Sequence, residues 1–191
     1  MIDWIAGLPL FSVVEVADER ARRAHPRSHS LADATRPYIL AHAGIDALAA
    51  RGYLASAGVP IGPVRGAADA SVDDLACMME HQAAEDLLWI RESFWSEPTG
   101  LVGADGRGPV VVCGHTPSVY LGRYGRLMSG NGANEELQGC MVEVGATSDT
   151  GGVADRVCID CSAAAGAPAG RVGVMRLEDR AVWYAPVGED A

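Results

Sequence analysis

A membrane span needs about 18 or more consecutive apolar residues, and no such run occurs in the chain. The opening Met1-Ile2-Asp3-Trp4 has no basic stretch and no long apolar core behind it, so a signal peptide is not expected and a cytoplasmic location is. A cationic excess is also missing. The formal net charge is −10, which argues against binding to nucleic-acid backbones or anionic membranes, since both require cations that displace counterions. A disulfide framework is lacking too: the five cysteines are odd in number and irregularly spaced. Cys158 and Cys161 do form a C-x-x-C, but within a strand-like Val157-Cys158-Ile159-Asp160-Cys161, where residues three apart face opposite ways. They are read as small buried hydrophobes rather than a zinc or redox pair. There is no internal repeat and no firm domain boundary.

What is present suits one ordinary domain. The chain has 191 residues, 49% of them apolar and 21% charged, close to an average globular protein. Ile2 to Leu10 looks like the end of a helix stopped by Gly7 and Pro9, and Phe11 to Val16 like a first strand. Residues 17–36 are charged, with Arg20, Arg22, Arg23, Arg27, His25 and His29 and no apolar period, which suggests a solvated loop or frayed helix. Residues 47–84 are rich in Ala and Gly and resemble an insertion or lid more than core, with short helices near Ala47 to Ala50 and Asp73 to Glu80. A Gly-, Asn- and Ser-containing region follows from about Tyr120 to Asp155. Within it Gly130-Asn131-Gly132 lacks the flanking strand and helix of a phosphate cradle and is read as a loop. Three strands close the chain, at Arg156 to Ala163, Arg171 to Leu177 and Ala181 to Val187, with Glu178-Asp179-Arg180 joining the last two.

Two stretches come closer to a chemistry. Val110-Val111-Val112-Cys113-Gly114-His115-Thr116-Pro117 is a buried-strand pattern that delivers an imidazole to a turn, and Tyr38-Ile39-Leu40-Ala41-His42-Ala43-Gly44-Ile45 repeats the construction. Between them Glu85 to Trp95 opens with acids and places Leu87, Ile90 and Phe94 on one face of a helix, with Arg91 turned to water in the plainest reading.

In this order, Leu40 to Ile45, Leu87 to Glu92, Val112 to Pro117, and Cys158-Ile159-Asp160 leading to Val174 to Asp179 resemble the C-terminal half of the calcineurin-like metallophosphoesterases, in particular the bacterial and phage type of serine/threonine protein phosphatase. Asp3-Trp4-Ile5 to Leu8-Pro9-Leu10 is similar to the segment just after the middle of that domain. The resemblance implies an α/β fold: a partial metallophosphoesterase sandwich of mixed β-sheets flanked by helices, its N-terminal half absent. It makes residues 1–191 one partial domain with inserted loops near 17–36, 47–84 and 120–155. It implies that His42 and His115 bind one divalent metal of the Mn, Fe or Zn class, and that Arg91 grips the oxygens of a phosphorylated protein or small phosphoester. Family members hold two metals that activate a water for in-line attack on phosphorus.

The chain departs from the family in lacking Asp-x-His, Gly-Asp and Gly-Asn-His, which carry the remaining ligands and the general acid, and in reading Ile159-Asp160-Cys161-Ser162-Ala163 where Ile-Asp-Thr-Gly-Ala is usual. The expectation is therefore a phosphate-monoester hydrolase that is incomplete or inactive as this chain. Half a sandwich leaves apolar faces uncovered, so a completing partner chain or self-association is expected. The alternatives are a non-catalytic binding module derived from the phosphatase fold, one half of a split enzyme, or two histidines that merely belong to a core.

Overall fold

The computed structural model describes residues 9–24, 34–124, 128–129 and 132–188. The helix end expected up to Leu8, His25, Arg27, His29, Gly130 and Asn131 lie outside them. The elements in chain order are β1 (Phe11–Ala17), α1 (Glu19–Ala24), β2 (Thr35–Ala41), α2 (Ala47–Ser56), α3 (Val72–Glu80), α4 (Ala84–Trp89), α5 (Glu92–Ser96), β3 (Val110–Cys113), β4 (Met128–Ser129), β5 (Val142–Val144), β6 (Arg156–Cys158), β7 (Arg171–Met175) and β8 (Val182–Pro186). Short 3₁₀ turns occupy Ser118–Arg123, Ser148–Thr150 and Ala163–Ala165. This is a mixed α/β architecture, and no helix among the described residues is long and apolar enough to cross a membrane.

Six strands form one mixed sheet in the order β1-β2-β3-β6-β5-β4, while β7 and β8 form a separate antiparallel hairpin. The central three, β2, β3 and β6, run parallel, with Leu40 beside Val112 and Val112 beside Val157. A strand covered on both faces must be apolar throughout, and β3 is: all four of its residues are buried. Val111 and Cys113 face the helices, in a core with Ile39, Leu54, Leu75, Met78, Met79, Phe94 and Trp95. Val110 and Val112 face the opposite way, with Tyr38, Val102 and Val157, and Met175 and Leu177 from the hairpin pack against them. The Tyr38 hydroxyl donates to the Leu177 carbonyl at 2.9 Å, tying hairpin to sheet.

Several expectations need correction. Residues 47–84 are not a lid, because Leu54, Leu75, Met78 and Met79 have no exposed surface and form the main core. Both of their helices carry side-chain caps: Asp46 accepts from the Leu48 and Ala49 amides, and Ser71 and Asp74 make a reciprocal capping box. The charged stretch 17–36 is not all solvated, since Arg36 is buried, 2.7 Å from Asp18, and donates to the carbonyls of Gly106 and Gly108. The region 120–155 contributes β5, whose Val142 and Val144 are buried in the sheet. A strand of three residues is too short to show an alternation. The strand expected to run from Arg156 to Ala163 stops at Cys158. Cys158 and Cys161 are free and buried, with Cys161 beyond the end of β6.

Candidate functional site

The parallel strands deliver their C-terminal ends to one edge, where open α/β sheets place ligands. His42 follows the last residue of β2, and His115 and Asp160 each lie two residues beyond β3 and β6. Backbone bonds fix the three loops to one another. The Gly114 amide donates to the His42 carbonyl at 2.9 Å, Ile159 donates to Cys113 at 2.9 Å, and Ser118 donates to Asp160 at 2.9 Å. His115 has φ of 64°, a left-handed conformation that costs a side-chain-bearing residue energy and recurs at functional sites.

Arg91 reaches this edge because its helix is broken. The single helix expected over Glu85 to Trp95 is two, with Ile90 at φ −58°, ψ 140° and Arg91 at φ −139°, ψ −86° between them. Leu87 and Phe94 are buried as expected, and Ile90 packs against the same core. The break sits against the His42 turn: the Ala43 amide donates to the Leu87 carbonyl at 2.8 Å. A Cβ on Gly44 would lie 2.7 Å from the Phe94 ring and 3.0 Å from Ile90, and its φ is +146°. Glycine is therefore what lets the turn and the helix break meet.

The three residues singled out in the sequence, His42, His115 and Arg91, come together. His42 Nε2 is 3.0 Å from His115 Nδ1, and Arg91 Nη2 is 2.9 Å from His115 Nε2. A guanidinium only donates, so His115 Nε2 accepts and its Nδ1–H points to His42 Nε2. Burial, then the neighbouring Arg91 and His42, pull the His115 imidazole below its ordinary pKa, with Asp160 opposing. At neutral pH His115 is thus a neutral imidazole, with its Nε2 lone pair facing Arg91 and its Nδ1 proton facing His42. Trp89, 64% exposed, meets the His115 ring edge-on with centroids 5.2 Å apart. Trp89 and Asp160 both lay inside the quoted motifs, yet spacing alone did not mark them as neighbours of His115.

Two imidazole nitrogens on one tetrahedral ion with bonds of about 2.0–2.1 Å stand roughly 3.3 Å apart; the 3.0 Å His42–His115 contact is instead a hydrogen bond, and binding one cation through both nitrogens would require the His115 Nδ1 proton to leave. Among the described residues, no group of three or more His, Cys, Asp or Glu side chains could hold a metal ion. Catalytic zinc sites usually keep three protein ligands, so these residues by themselves do not complete a metal centre. What the arrangement offers is a hydrogen-bonded pair of imidazoles beside a fixed guanidinium and an exposed indole. No protein-family model, curated protein or solved structure matches the chain.

Proposed function

We propose that the His42–His115–Arg91 edge is the phosphate-binding part of a metal-dependent phosphoprotein phosphatase site that hydrolyses phosphate monoesters, and that this chain alone turns over little or no substrate. The observation that carries the reading is the convergence of two imidazole nitrogens at 3.0 Å with an arginine 2.9 Å from the second ring. On this reading His42 and His115 supply two donors toward a Mn, Fe or Zn ion, with the others coming from outside the described residues. Arg91 holds the phosphate oxygens of a phosphorylated protein or small phosphoester, a task suited to its planar donors. A half-furnished centre cannot neutralise the charge that develops at phosphorus, hence the low expected rate.

The test is an assay with manganese and p-nitrophenyl phosphate, alongside calorimetric titration with manganese. Binding should be weak and lost in His42→Ala and His115→Ala, with no measurable turnover. Turnover abolished by His115→Ala overturns the inactivity, and metal binding untouched by both substitutions overturns the site.

The absence of a third ligand among the described residues favours one alternative, a non-catalytic module that recognises phosphate without a metal. It predicts that phosphate binding depends on Arg91 and persists in the presence of a chelator.

A further inference from the structure

Beside the β7–β8 hairpin lie four residues that the phosphatase reading does not use, Arg171, Cys140, Tyr184 and Cys161. Arg171 opens β7, and its Nη2 lies 2.9 Å from the Cys140 sulfur. Its Nε and Nη2 also donate to the Gly139 carbonyl at 3.0 and 2.8 Å. The Tyr184 ring lies under the guanidinium at 3.9 Å, and the Tyr184 hydroxyl accepts from the Met141 amide at 3.0 Å. The Arg171 backbone amide donates to the Cys161 carbonyl at 3.0 Å, so one residue bridges both cysteines.

Cys161 is close behind. A Cβ on Gly139 would stand 2.4 Å from the Cys161 carbonyl oxygen and 3.0 Å from its Cα, so residue 139 lies directly on Cys161. Cys140 is the next residue, about 3.8 Å further along the chain. The two cysteines are close enough to feel each other's charge, and a disulfide between them requires a Cα separation of about 4.4–6.8 Å. Cys140 is half-buried and therefore open to a small oxidant, while Cys161 is buried. Arg171 Nη2 donates to the Cys140 sulfur and so fixes where that sulfur sits.

We propose that Cys140 and Cys161 are a peroxide-sensitive dithiol, with Cys140 attacking and Cys161 resolving. The Cys140 thiolate attacks one oxygen of hydrogen peroxide, the O–O bond breaks, and the departing hydroxide takes a proton to leave as water. Cys140 is now a sulfenic acid. The Cys161 thiol gives up its proton, its sulfur attacks the Cys140 sulfur, and the S–O bond breaks to release a second water. Two thiols and one peroxide thus give one disulfide and two waters, the two sulfurs losing the two electrons that the peroxide gains. Burial, with Arg171 opposing, lifts the Cys161 thiol to about 11, so its deprotonation makes disulfide closure the slow step. The bond would staple the loop carrying Cys140 to the residue after Asp160, and so to the edge that holds His115. This proposal is independent of the phosphatase reading.

The experiment is equimolar hydrogen peroxide on the full chain, alkylation of the remaining thiols, and mass spectrometry of an unreduced digest. The expected product is a peptide pair joining Cys140 to Cys161, two hydrogens lighter, with a melting temperature several degrees higher that dithiothreitol reverses. In Cys161→Ser, dimedone should capture a sulfenic acid at Cys140. In Arg171→Met, Cys140 should react several-fold more slowly while exposed Cys77, the internal reference, is unchanged. The idea is overturned if Cys140 and Cys161 stay alkylatable while Cys77 is oxidised, or if the only bonds formed involve Cys77. The wild-type digest decides this whether or not a variant folds.

Discussion

Single residues carry two different kinds of burden in this molecule. His115, in a left-handed backbone, is held where its imidazole touches His42 and Arg91, and its loop was legible because an apolar run ending in Gly-His-Thr-Pro is a strand end. Arg156 was not legible. It begins β6 as an ordinary charged residue in the sequence, yet it is fully buried, 2.9 Å from Asp155, with carbonyls of Phe94, Trp95 and Glu97 around one guanidinium nitrogen. Asp155 in turn accepts from both the amide and the hydroxyl of Thr99. Only folding shows that this charge has partners. Removing one member of a buried pair strands the other, at about 3–5 kcal/mol. Asp155→Ala should therefore lower the stability measured by urea denaturation by that order, and a loss under 1 kcal/mol would show that the pair is dispensable.

At the scale of elements, a turn and a helix break decide where Arg91 goes. The acids and apolar spacing of Glu85 to Trp95 announce helix, but no residue in the stretch is a glycine or proline that would announce the break. It comes from outside, where the His42 turn presses Gly44 onto Ile90 and Phe94. Gly44→Ala should cost about 1–3 kcal/mol through its positive φ and the close Phe94 contact, and should also displace Arg91. The check is a urea titration together with the phosphate affinity. A fully stable variant with unchanged affinity would detach the glycine from the site.

The β7–β8 turn offers a second prediction. Asp179 accepts from Arg176 Nε at 2.8 Å and Nη2 at 2.5 Å and from the Ala181 amide at 3.1 Å. The Arg176 hydrogen bonds hold its carboxyl well below the usual range. A depressed carboxylate stabilises the fold above its unfolded value of about 4, and the contribution fades as pH falls below that toward the folded value. The acid limb of a pH–melting profile should flatten in Asp179→Asn; an unchanged limb would assign it to other carboxylates.

The whole molecule is a sheet covered by helices on one face and by a hairpin on the other, so the uncovered apolar surface expected of a half-sandwich is not on the large sheet. Exposed apolar side chains do occur on the hairpin, at Val172, Val174 and Trp183. By the proposed reading the hairpin is where a completing chain or a second copy packs, and size-exclusion chromatography should show a species larger than a monomer that Trp183→Ser shifts toward one. A compact wild-type monomer would count against it. The sequence by itself determined the strands β1, β2, β3, β7 and β8, the helices α2 and α3 and the pair of histidines at strand ends. Each rests on local physics: apolar runs, caps and turn residues act within a few positions of one another. Only the tertiary structure decided that residues 47–84 are core, that Arg36 and Arg156 are buried, that the Arg91 helix breaks, and that Arg171 spans two cysteines. Those outcomes depend on partners 18 to 72 residues away, whose free energy is realised only when the sheet brings them into contact.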